Sequence, residues 1–227
     1  MTPAATYAAL LAALILAFLP KPPLREGLGI SQAVYDRQGK LLRLTLSSDG
    51  RYRLWVPLER FSPELVRATL LHEDRHFRGH PGFNPVSLAR GAWRSYVRAD
   101  RRVGGSTITM QLARLRYGIR SKTLPGKLRQ ILKALQLERH YSKDEILEAY
   151  LNIAPYGGNV EGAAAASRIF FGKSPAELGL SETLSLAVLP QNPTARGPGA
   201  RTPESLRAAR AALFRRWTRE RPEDAAL

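Results

Sequence analysis

His72, Glu73 and His76 form the pattern H-E-x-x-H, which is typical of zinc hydrolases when it lies on a helix. Histidines four residues apart share one helical face and could bind one metal ion. A third ligand is then needed, and only His80 and the distant His140 remain among the four histidines. A zinc hydrolase is one hypothesis for this segment. The alternative makes both histidines ordinary helix residues.

Glu73 and Asp74 also lie at the end of an apolar segment, "LVRATLLHED", just before a loop rich in Gly, His and Arg. A carboxylate at such a junction, partly removed from water and flanked by cations, can act as a general base. The alternative is that one of the two simply pairs with Arg75 or Arg78. Glu73 is therefore a candidate catalytic residue in two different chemistries.

A Gly-Ser-Thr turn precedes a predicted helix in "VGGSTITMQLARLRYG" (103–118). Ser106 and Thr107 offer hydroxyls and a helix cap, and the helix carries Gln111 and Arg114. The N–H groups at a helix N-terminus can hold an oxyanion or a phosphate. The P-loop lysine is missing, so nucleotide binding is not favoured. The alternative is a capped turn without further function.

Two basic segments accompany these residues. The helix predicted over 124–143 combines an apolar face with the cations Lys127, Arg129 and Lys133. A second helix, which opens at Asn84-Pro85, carries a basic stripe interleaved with aromatic and apolar residues: Arg90, Trp93, Arg94, Tyr96, Val97 and Arg98. Such a stripe suits an anionic lipid interface, a nucleic acid or plain solvation.

The composition of the 227-residue chain indicates a globular protein with anionic partners. It is 44% hydrophobic and 24% charged, and its 35 Lys and Arg against 19 Asp and Glu give a net charge of +16. No cysteine is present, which excludes disulfides and thiolate metal sites. The uncharged run Ala4–Leu19 predicts one uncleaved membrane anchor, although it is slightly short for a span of roughly 17–25 residues. A signal peptide or a core helix is the alternative, and Lys21 and Arg25 weigh against export of the remainder.

The remaining segments predict a small β region followed by helices. Residues 30–58 alternate and carry turn signals at "DRQGK" and "SSDGR". Ser62-Pro63 opens a helix predicted to run through His76. Ser142–Glu145 and Ser174–Glu177 are predicted capping boxes, and Thr202-Pro203 opens a final helix. The predicted segments are an anchor (1–20), a linker with the β region (21–58), the main helical domain (59–200) and a C-terminal helix and tail (201–227).

Taken in order, these blocks resemble the peptidoglycan glycosyltransferase domain of glycosyltransferase family 51. The resemblance covers 30–198 and rests on "EDRHFRGHPGFNP", "GGSTITMQLAR" and "KALQLERHYSKDEILEAYLNIAPYGGNVEGAAAASRIFFGKSPAELGLSETLSLAVLPQNP". The variants "GKLRQILKALQLE" and "APYGG" look most like class C (1C-type) penicillin-binding proteins. The resemblance implies a mainly α, lysozyme-like fold with a small N-terminal β segment and one N-terminal transmembrane helix.

The resemblance also implies a reaction and a site. The enzyme would be a hexosyltransferase that polymerises lipid II into glycan strands with inversion and releases undecaprenyl pyrophosphate. Glu73 matches the family's base. Ten residues would bind substrate: Asp74, Arg75, His80, Ser106, Thr107, Gln111, Arg114, Lys127, Arg129 and Gln130. No metal ligands or resident cofactor are expected, although a divalent cation assists pyrophosphate departure in some members.

Gln130 departs from the pattern, because the family carries a second glutamate at this position. A glutamine can bind a sugar or phosphate but supplies no charge. Glu138 lies two helical turns farther along and does not replace it by register. The donor side would then depend on cations alone.

The implied partners and location follow the same resemblance. They are lipid II with the growing strand, membrane lipids and a transpeptidase or another cell-wall protein, at the bacterial plasma membrane with the catalytic domain outside. The rival hypotheses are a lysozyme-like hydrolase that cleaves glycans, the zinc hydrolase and a basic nucleic-acid-binding protein.

Overall fold

The computed structural model describes residues 20–89, 91, 105–121, 123–197 and 204–226. Within these ranges the chain is mainly helical with two small sheets, which confirms the predicted mainly α class. Its helices are α1 (Pro63–Glu73), α2 (Ile108–Tyr117), α3 (Leu124–His140), α4 (Lys143–Ile153), α5 (Ala163–Phe171), α6 (Leu180–Val188), α7 (Pro193–Arg196) and α8 (Glu204–Glu220). Residues 85–89 are helical as well.

Two predicted features fall largely outside the described ranges. The anchor was predicted on residues 1–20, of which only Pro20 is described, and none of the basic and aromatic residues of the predicted stripe is described. In the part of the chain that is described, no helix has both the length and the apolar character to cross a bilayer.

The chain divides into two compact units. The first unit comprises Met1–Glu26 and His80–Ile146, and the second comprises Gly27–Gly79 and Leu147–Leu227. The second unit is therefore built from two separate stretches of sequence. The segment boundaries predicted at residues 20, 58 and 200 stay predictions.

In the second unit, α1, α6 and α8 pack around one apolar core. Its buried members are Ala68, Leu71, Leu184, Ala187, Val188, Leu213 and Trp217. The helix α1 begins as predicted, because the Ser62 hydroxyl accepts a hydrogen bond from the Leu65 N–H (3.1 Å) and Pro63 follows it. The predicted end of α1 is wrong: the helix stops at Glu73, and Asp74 leaves helical geometry with φ −160° and ψ 78°.

The β region of the second unit forms one hairpin and one mixed sheet. The strands β1 (Ala33–Tyr35) and β2 (Leu41–Leu44) pair antiparallel across the predicted turn. In the other sheet, β3 (Tyr52–Arg53) lies parallel to β5 (Val160–Glu161), which also pairs antiparallel with β4 (Pro155–Gly157). The Arg53 Nε donates to Glu161 Oε2 at 3.0 Å and fixes this long-range pairing.

Asparagine and glutamate side chains of α4 hold the segment that leads into α1. The Asn152 side chain, 0% exposed, accepts from the Val56 N–H (2.9 Å) and donates to its carbonyl (2.8 Å). Glu148 accepts hydrogen bonds from the Trp55 indole (2.9 Å) and the Leu58 N–H (3.0 Å). The chain just before α1 is therefore fixed by four side-chain hydrogen bonds.

The predicted capping box at Ser174–Glu177 opens only a turn. The Ser174 N–H donates to Glu177 Oε2 at 3.1 Å, but the next helix, α6, begins at Leu180. Glu182 accepts from the Gly179 N–H (2.8 Å) and closes the first turn of α6. The box predicted at Ser142–Glu145 is confirmed, with reciprocal bonds of 2.7 and 3.2 Å at the start of α4.

The first unit contains α2 and α3, which pack against each other as a helical pair. Thr107 caps α2 by accepting from the Met110 N–H at 3.2 Å, and α2 ends at Gly118 with φ +61°. Thr123 caps α3 by accepting from the Gly126 N–H at 3.2 Å. A side chain at Gly126 would place Cβ only 1.8 Å from the Arg120 carbonyl, so this turn requires glycine.

Candidate active site

Glu73 ends α1 as a buried carboxylate. Its side chain is only 6% exposed, and its Oε1 lies 3.9 Å from His72 Nε2. The Tyr156 phenol is fully packed nearby: burial raises its pKa, and the negative charge of Glu73 raises it further. The carboxylate therefore sits among groups that keep water from it.

His72 is neutral at physiological pH. Burial lowers its pKa from 6.5 to about 4, and the positive charges of Arg196 and Arg216 lower it as well. A hydrogen bond with Gln191 acts in the opposite direction. The 3.9 Å approach to Glu73 is therefore not an ion pair at neutral pH. Arg196 supplies a positive charge that interacts with Glu73.

Arg196, at the end of α7, is the arginine whose charge interacts with Glu73. Its Nη1 donates to the Val188 carbonyl (2.7 Å) and to Gln191 Oε1 (3.0 Å). Burial lowers the Arg196 pKa, and Glu73 opposes that change. These hydrogen bonds fix the guanidinium, so that it supplies a constant positive field at the carboxylate.

The structure removes the geometric basis of the zinc hypothesis. Since α1 ends at Glu73, His76 lies in the following turn and does not share a helical face with His72. Among the described residues, no group of three His, Asp or Glu side chains could hold a metal ion. The two histidines of the H-E-x-x-H pattern therefore do not form a pair of ligands on one helical face.

Asp74 and Arg75 follow Glu73 but have structural contacts of their own. The Asp74 N–H donates to the Leu70 carbonyl (2.9 Å), and its carbonyl accepts from the Phe77 N–H (3.0 Å). The Arg75 side chain is 64% exposed and pairs with Glu220 on α8 at 3.3 Å. A substrate role for either residue stays a prediction.

In the first unit, the structure brings Ser106, Lys127 and Gln130 together. The Lys127 Nζ donates to Ser106 Oγ (2.7 Å) and to Gln130 Oε1 (3.1 Å). Burial lowers the Lys127 pKa, and the nearby charge of Arg114 lowers it further. We call Ser106, Arg114, Lys127 and Gln130 the lysine cluster.

Gln130 uses both ends of its amide. The Nε2 group donates to the Met110 carbonyl at 2.6 Å while Oε1 accepts from Lys127, and the residue is 1% exposed. An ionised glutamate could accept from Lys127 but could not donate to the carbonyl of α2. The Gln130 amide therefore joins α2 and α3 by acting as both a donor and an acceptor.

Arg129 does not join the lysine cluster. Two residues correspond to about 200° around a helix, so Arg129 points away from Lys127, whereas Gln130 at three residues shares its face. Arg129 is exposed, in keeping with this geometry. Arg114 stands in the last turn of α2 and Gln111 one turn earlier, both partly buried.

His80, Thr107 and Glu138 form a structural bridge within the first unit. Thr107 Oγ1 donates to the Gly82 carbonyl (2.6 Å), and Lys143 Nζ donates to the His80 carbonyl (2.6 Å). Glu138 accepts from Thr109 (2.5 Å) and Lys143 (2.7 Å). Glu138 is thus occupied in packing and does not substitute for an acid at position 130.

Comparison with known proteins identifies the family. Residues 38–218 match the family described as Transglycosylase. The chain belongs to this family. Penicillin-binding protein 1C of Escherichia coli (strain K12) is 44% identical over 208 residues, which cover 89% of this chain and 27% of that protein.

Other curated relatives agree with the transglycosylase family. Penicillin-binding protein 1A of Aquifex aeolicus (strain VF5) is 39% identical over 79% of this chain and 25% of its own length. Penicillin-binding protein 2D of Bacillus subtilis (strain 168) is 40% identical over 74% of this chain and 24% of its own length. The chain spans about a quarter of the length of these relatives.

A solved structure of penicillin-binding protein 1A from Haemophilus influenzae matches 86% of this chain and 19% of its own, at 22% identity. Its TM-score of 0.44 is too low to equate the two folds.

Transglycosylase membership confirms two predictions made from the sequence. The predicted resemblance to class C penicillin-binding proteins agrees with the 44% identity to penicillin-binding protein 1C. The predicted enzyme class, a hexosyltransferase, is that of this family. The lysozyme-like comparison and the roles of individual residues stay predictions.

Sequence reasoning missed the surroundings of Glu73. Tyr156 and Gln191 stand within the blocks "APYGG" and "LPQNP", and Arg196 follows three residues after the second block. The first block contributed only to the resemblance to a family, and no residue of the second was given a role. No residue near Arg196 in the sequence indicates that it interacts with Glu73, because the folding of the second unit brings the two together.

Proposed function

We propose that this transglycosylase polymerises lipid II into glycan strands. The acceptor 4-hydroxyl oxygen attacks the anomeric carbon of the lipid-linked donor as its proton passes to Glu73. The bond from that carbon to the pyrophosphate oxygen breaks, and undecaprenyl pyrophosphate leaves with the electron pair. Attack opposite the leaving group inverts the anomeric centre.

The observation that supports this mechanism is the burial of Glu73 at the end of α1. The Glu73 side chain is only 6% exposed, so its carboxylate is largely removed from water. His72 is neutral and therefore does not form an ion pair with Glu73. Arg196 is fixed by hydrogen bonds to Val188 and Gln191. Glu73 is therefore held in one environment, as a base requires.

The lysine cluster is the proposed source of positive charge for the leaving pyrophosphate. Lys127 and Arg114 lie close enough for their charges to interact, and burial disfavours the charged form of Lys127 when no anion lies beside it. An arriving phosphate would relieve both effects. No resident metal is part of this proposal, and we expect polymerisation to continue in EDTA.

The proposed partners are lipid II, the growing strand, membrane lipids and a transpeptidase or another cell-wall protein. The proposed location is the bacterial plasma membrane, with the catalytic part on its outer side. A role in binding nucleic acid is not proposed.

The deciding experiment compares Glu73→Gln with the intact chain on labelled lipid II. Loss of about 10²–10⁴-fold in rate is expected, since this is the usual contribution of a general base. Glu64→Gln is the matched control, because Glu64 is a partly exposed carboxylate in the first turn of the same helix. Continued polymerisation by Glu73→Gln would contradict the mechanism.

The same assay separates polymerisation from hydrolysis. Long glycan products from lipid II support the proposal. Shortening of pre-formed glycan, with no product from lipid II, would establish the lysozyme-like hydrolase instead.

A further inference from the structure

An apolar groove of about 400 Å³ lies between α6 and α8 in the second unit. Its floor is formed by Leu180 and Leu184 of α6 and by Ala211 and Phe214 of α8. Leu184 is buried in the core of this unit, and Leu180 and Phe214 are partly buried and pack against that core. The groove is therefore a continuation of the hydrophobic core that opens at the surface.

Two arginines of α8 border this groove. Arg207 and Arg210 both line it, and residues three apart share one helical face. Arg210 Nη1 donates to Ser181 Oγ (3.2 Å) and to Ser185 Oγ (3.4 Å), and these hydroxyls fix the guanidinium without neutralising it. Among the ion pairs formed within the described ranges, none involves Arg207 or Arg210. The groove thus has an apolar floor and a border with two positive charges that no carboxylate of these ranges balances.

The spacing of the lining residues indicates the shape of the partner. On α8 they stand at positions 207, 210, 211 and 214, which is one face of a helix over two turns, or about 10 Å at 1.5 Å per residue. An amphipathic helix presents apolar side chains at the same spacing and binds such grooves with them. Carboxylates beside those apolar side chains would form charge-assisted hydrogen bonds with the arginines.

We propose that this groove binds an acidic amphipathic helix of a partner protein. Apolar side chains of the partner pack on Leu184 and Phe214, and its carboxylates pair with Arg207 and Arg210. A second copy of this chain fits less well, because a net charge of +16 opposes the association of like molecules. The inference goes beyond the proposed function, since the groove contributes no residue to the proposed chemistry.

Fluorescence anisotropy with the full chain in nonionic detergent tests the proposal. The probe is a fluorescein-labelled synthetic helix with leucines four residues apart and glutamates beside them. One control peptide has alanine in place of each leucine and keeps the charge, and another has lysine in place of each glutamate. We expect saturable binding of the probe and at least about ten-fold weaker binding of both controls, because both the anchors and the ion pairs are needed. Equal binding of the alanine peptide would overturn the proposal, since general attraction to a basic chain would then be sufficient.

Substitutions in the chain test the groove itself. Arg207→Ala and Arg210→Ala should each raise the Kd of the probe about five-fold, the scale of one partly exposed ion pair. Arg215→Ala is the matched control, because Arg215 is exposed on the same helix and does not line the groove. Ala211→Trp should abolish binding by filling the groove. An equal effect of Arg215→Ala and Arg207→Ala, or undiminished binding by Ala211→Trp, would contradict the assignment.

Photo-crosslinking tests the position of the bound helix. The chain has no cysteine, so benzophenone can be attached at Ala211→Cys alone. Ala212→Cys is the matched control, because Ala212 is also exposed but lies about 100° away around α8. Several-fold more crosslinking of the probe is expected from position 211, and equal yields would overturn the proposal.

Two further outcomes separate this proposal from the others. Crosslinking between two chains from position 211, in preference to the probe, would overturn it and assign the groove to a second copy. The Glu73→Gln chain should bind the probe as tightly as the intact chain does, so failure of the groove is distinguishable from failure of the proposed chemistry.

Discussion

At the scale of single residues, the two candidate clusters depend on neutral side chains that hold charged ones. Gln130 fixes Lys127 in the first unit, and Gln191 fixes Arg196 in the second. A glutamine accepts a hydrogen bond from a cation without neutralising it. The positive charge therefore stays available for an anionic group such as a phosphate or a carboxylate.

Replacing Gln130 by Ala should weaken both stability and substrate binding. The variant removes the side-chain hydrogen bond to the Met110 carbonyl of α2, which costs roughly 0.5–1.5 kcal/mol of unfolding free energy. It also releases Lys127, so KM for lipid II should rise by about ten-fold, equivalent to about 1.4 kcal/mol, with a smaller effect on kcat. Urea unfolding and steady-state polymerisation measure the two effects.

Gln136→Ala is the matched control for this prediction. Gln136 repeats the arrangement on the same helix, because it accepts from Lys133 (2.7 Å) and donates to the Pro20 carbonyl (2.8 Å). Its loss should lower stability similarly but leave KM in detergent unchanged. An equal rise in KM for both variants would show that Gln130 acts only through stability.

His72 should make the stability of the chain depend on pH. Its folded pKa of about 4 lies below the unfolded value of 6.5, so the neutral form is preferred on folding. That stabilisation is complete above about pH 6.5 and is lost as the pH falls towards 4, by roughly 3 kcal/mol. The difference in unfolding free energy between the intact chain and His72→Gln should shrink by this amount from pH 7 to pH 4.

Urea titrations at several pH values measure this difference. Groups common to both chains cancel in the comparison. A difference that does not change with pH would show that His72 titrates normally in the folded protein.

At the scale of elements, the start of α5 depends on one glycine. Gly162 has φ +84°, and a Cβ there would lie 2.5 Å from the Asn152 carbonyl oxygen. Gly162→Ala should therefore destabilise the fold by roughly 2 kcal/mol more than Gly158→Ala, which shares a positive φ (+55°) but has open space around it. Thermal unfolding of the two variants tests this, and equal losses would contradict the close approach.

The sequence predicts the starts of helices better than their ends. Ser62 and Ser142 are caps formed by side chains and N–H groups a few residues apart, and both are confirmed. The end of α1 at Glu73 and the late start of α6 at Leu180 depend on packing with distant segments. The pairing of β3 with β5 was not predicted for the same reason, since no local pattern encodes a partner more than 100 residues away.

The candidate site shows the same limit. Glu73 could be identified as a candidate from the sequence because its carboxylate ends an apolar helical pattern. Ser106 and Lys127 could be identified because the segments that contain them resemble a known family. The roles of Gln130 and Arg196 could not be found, since they depend on contacts with the Met110 and Val188 carbonyls. The sequence also did not predict how exposed each cation is. Lys127 and Arg129 are two residues apart in the same helix, but Lys127 is partly buried and Arg129 is exposed.

At the scale of the whole molecule, the net charge of +16 should make substrate binding depend on salt. Raising NaCl from about 0.1 to about 1 M shortens the Debye length from about 10 to about 3 Å and screens exposed cations. KM for lipid II in detergent should therefore increase while kcat changes little, because the buried Glu73 is screened less. Steady-state kinetics at several salt concentrations measure this, and a KM independent of salt would contradict a long-range role for the charge.

The parallel pairing of β3 with β5 also sets an order of events during biosynthesis. Arg53 is made long before Glu161, and at about 5–20 residues per second the intervening chain takes roughly 5–20 s to emerge from the ribosome. All of His80–Ile146 is synthesised in that interval. In a nascent chain that stops before residue 161, β3 has no β5 to pair with and the Arg53 guanidinium lacks its partner Glu161. The helices α2 and α3 already have their complete sequence at that point. The strand β3 can therefore pair with β5 only after the stretch His80–Ile146 has left the ribosome.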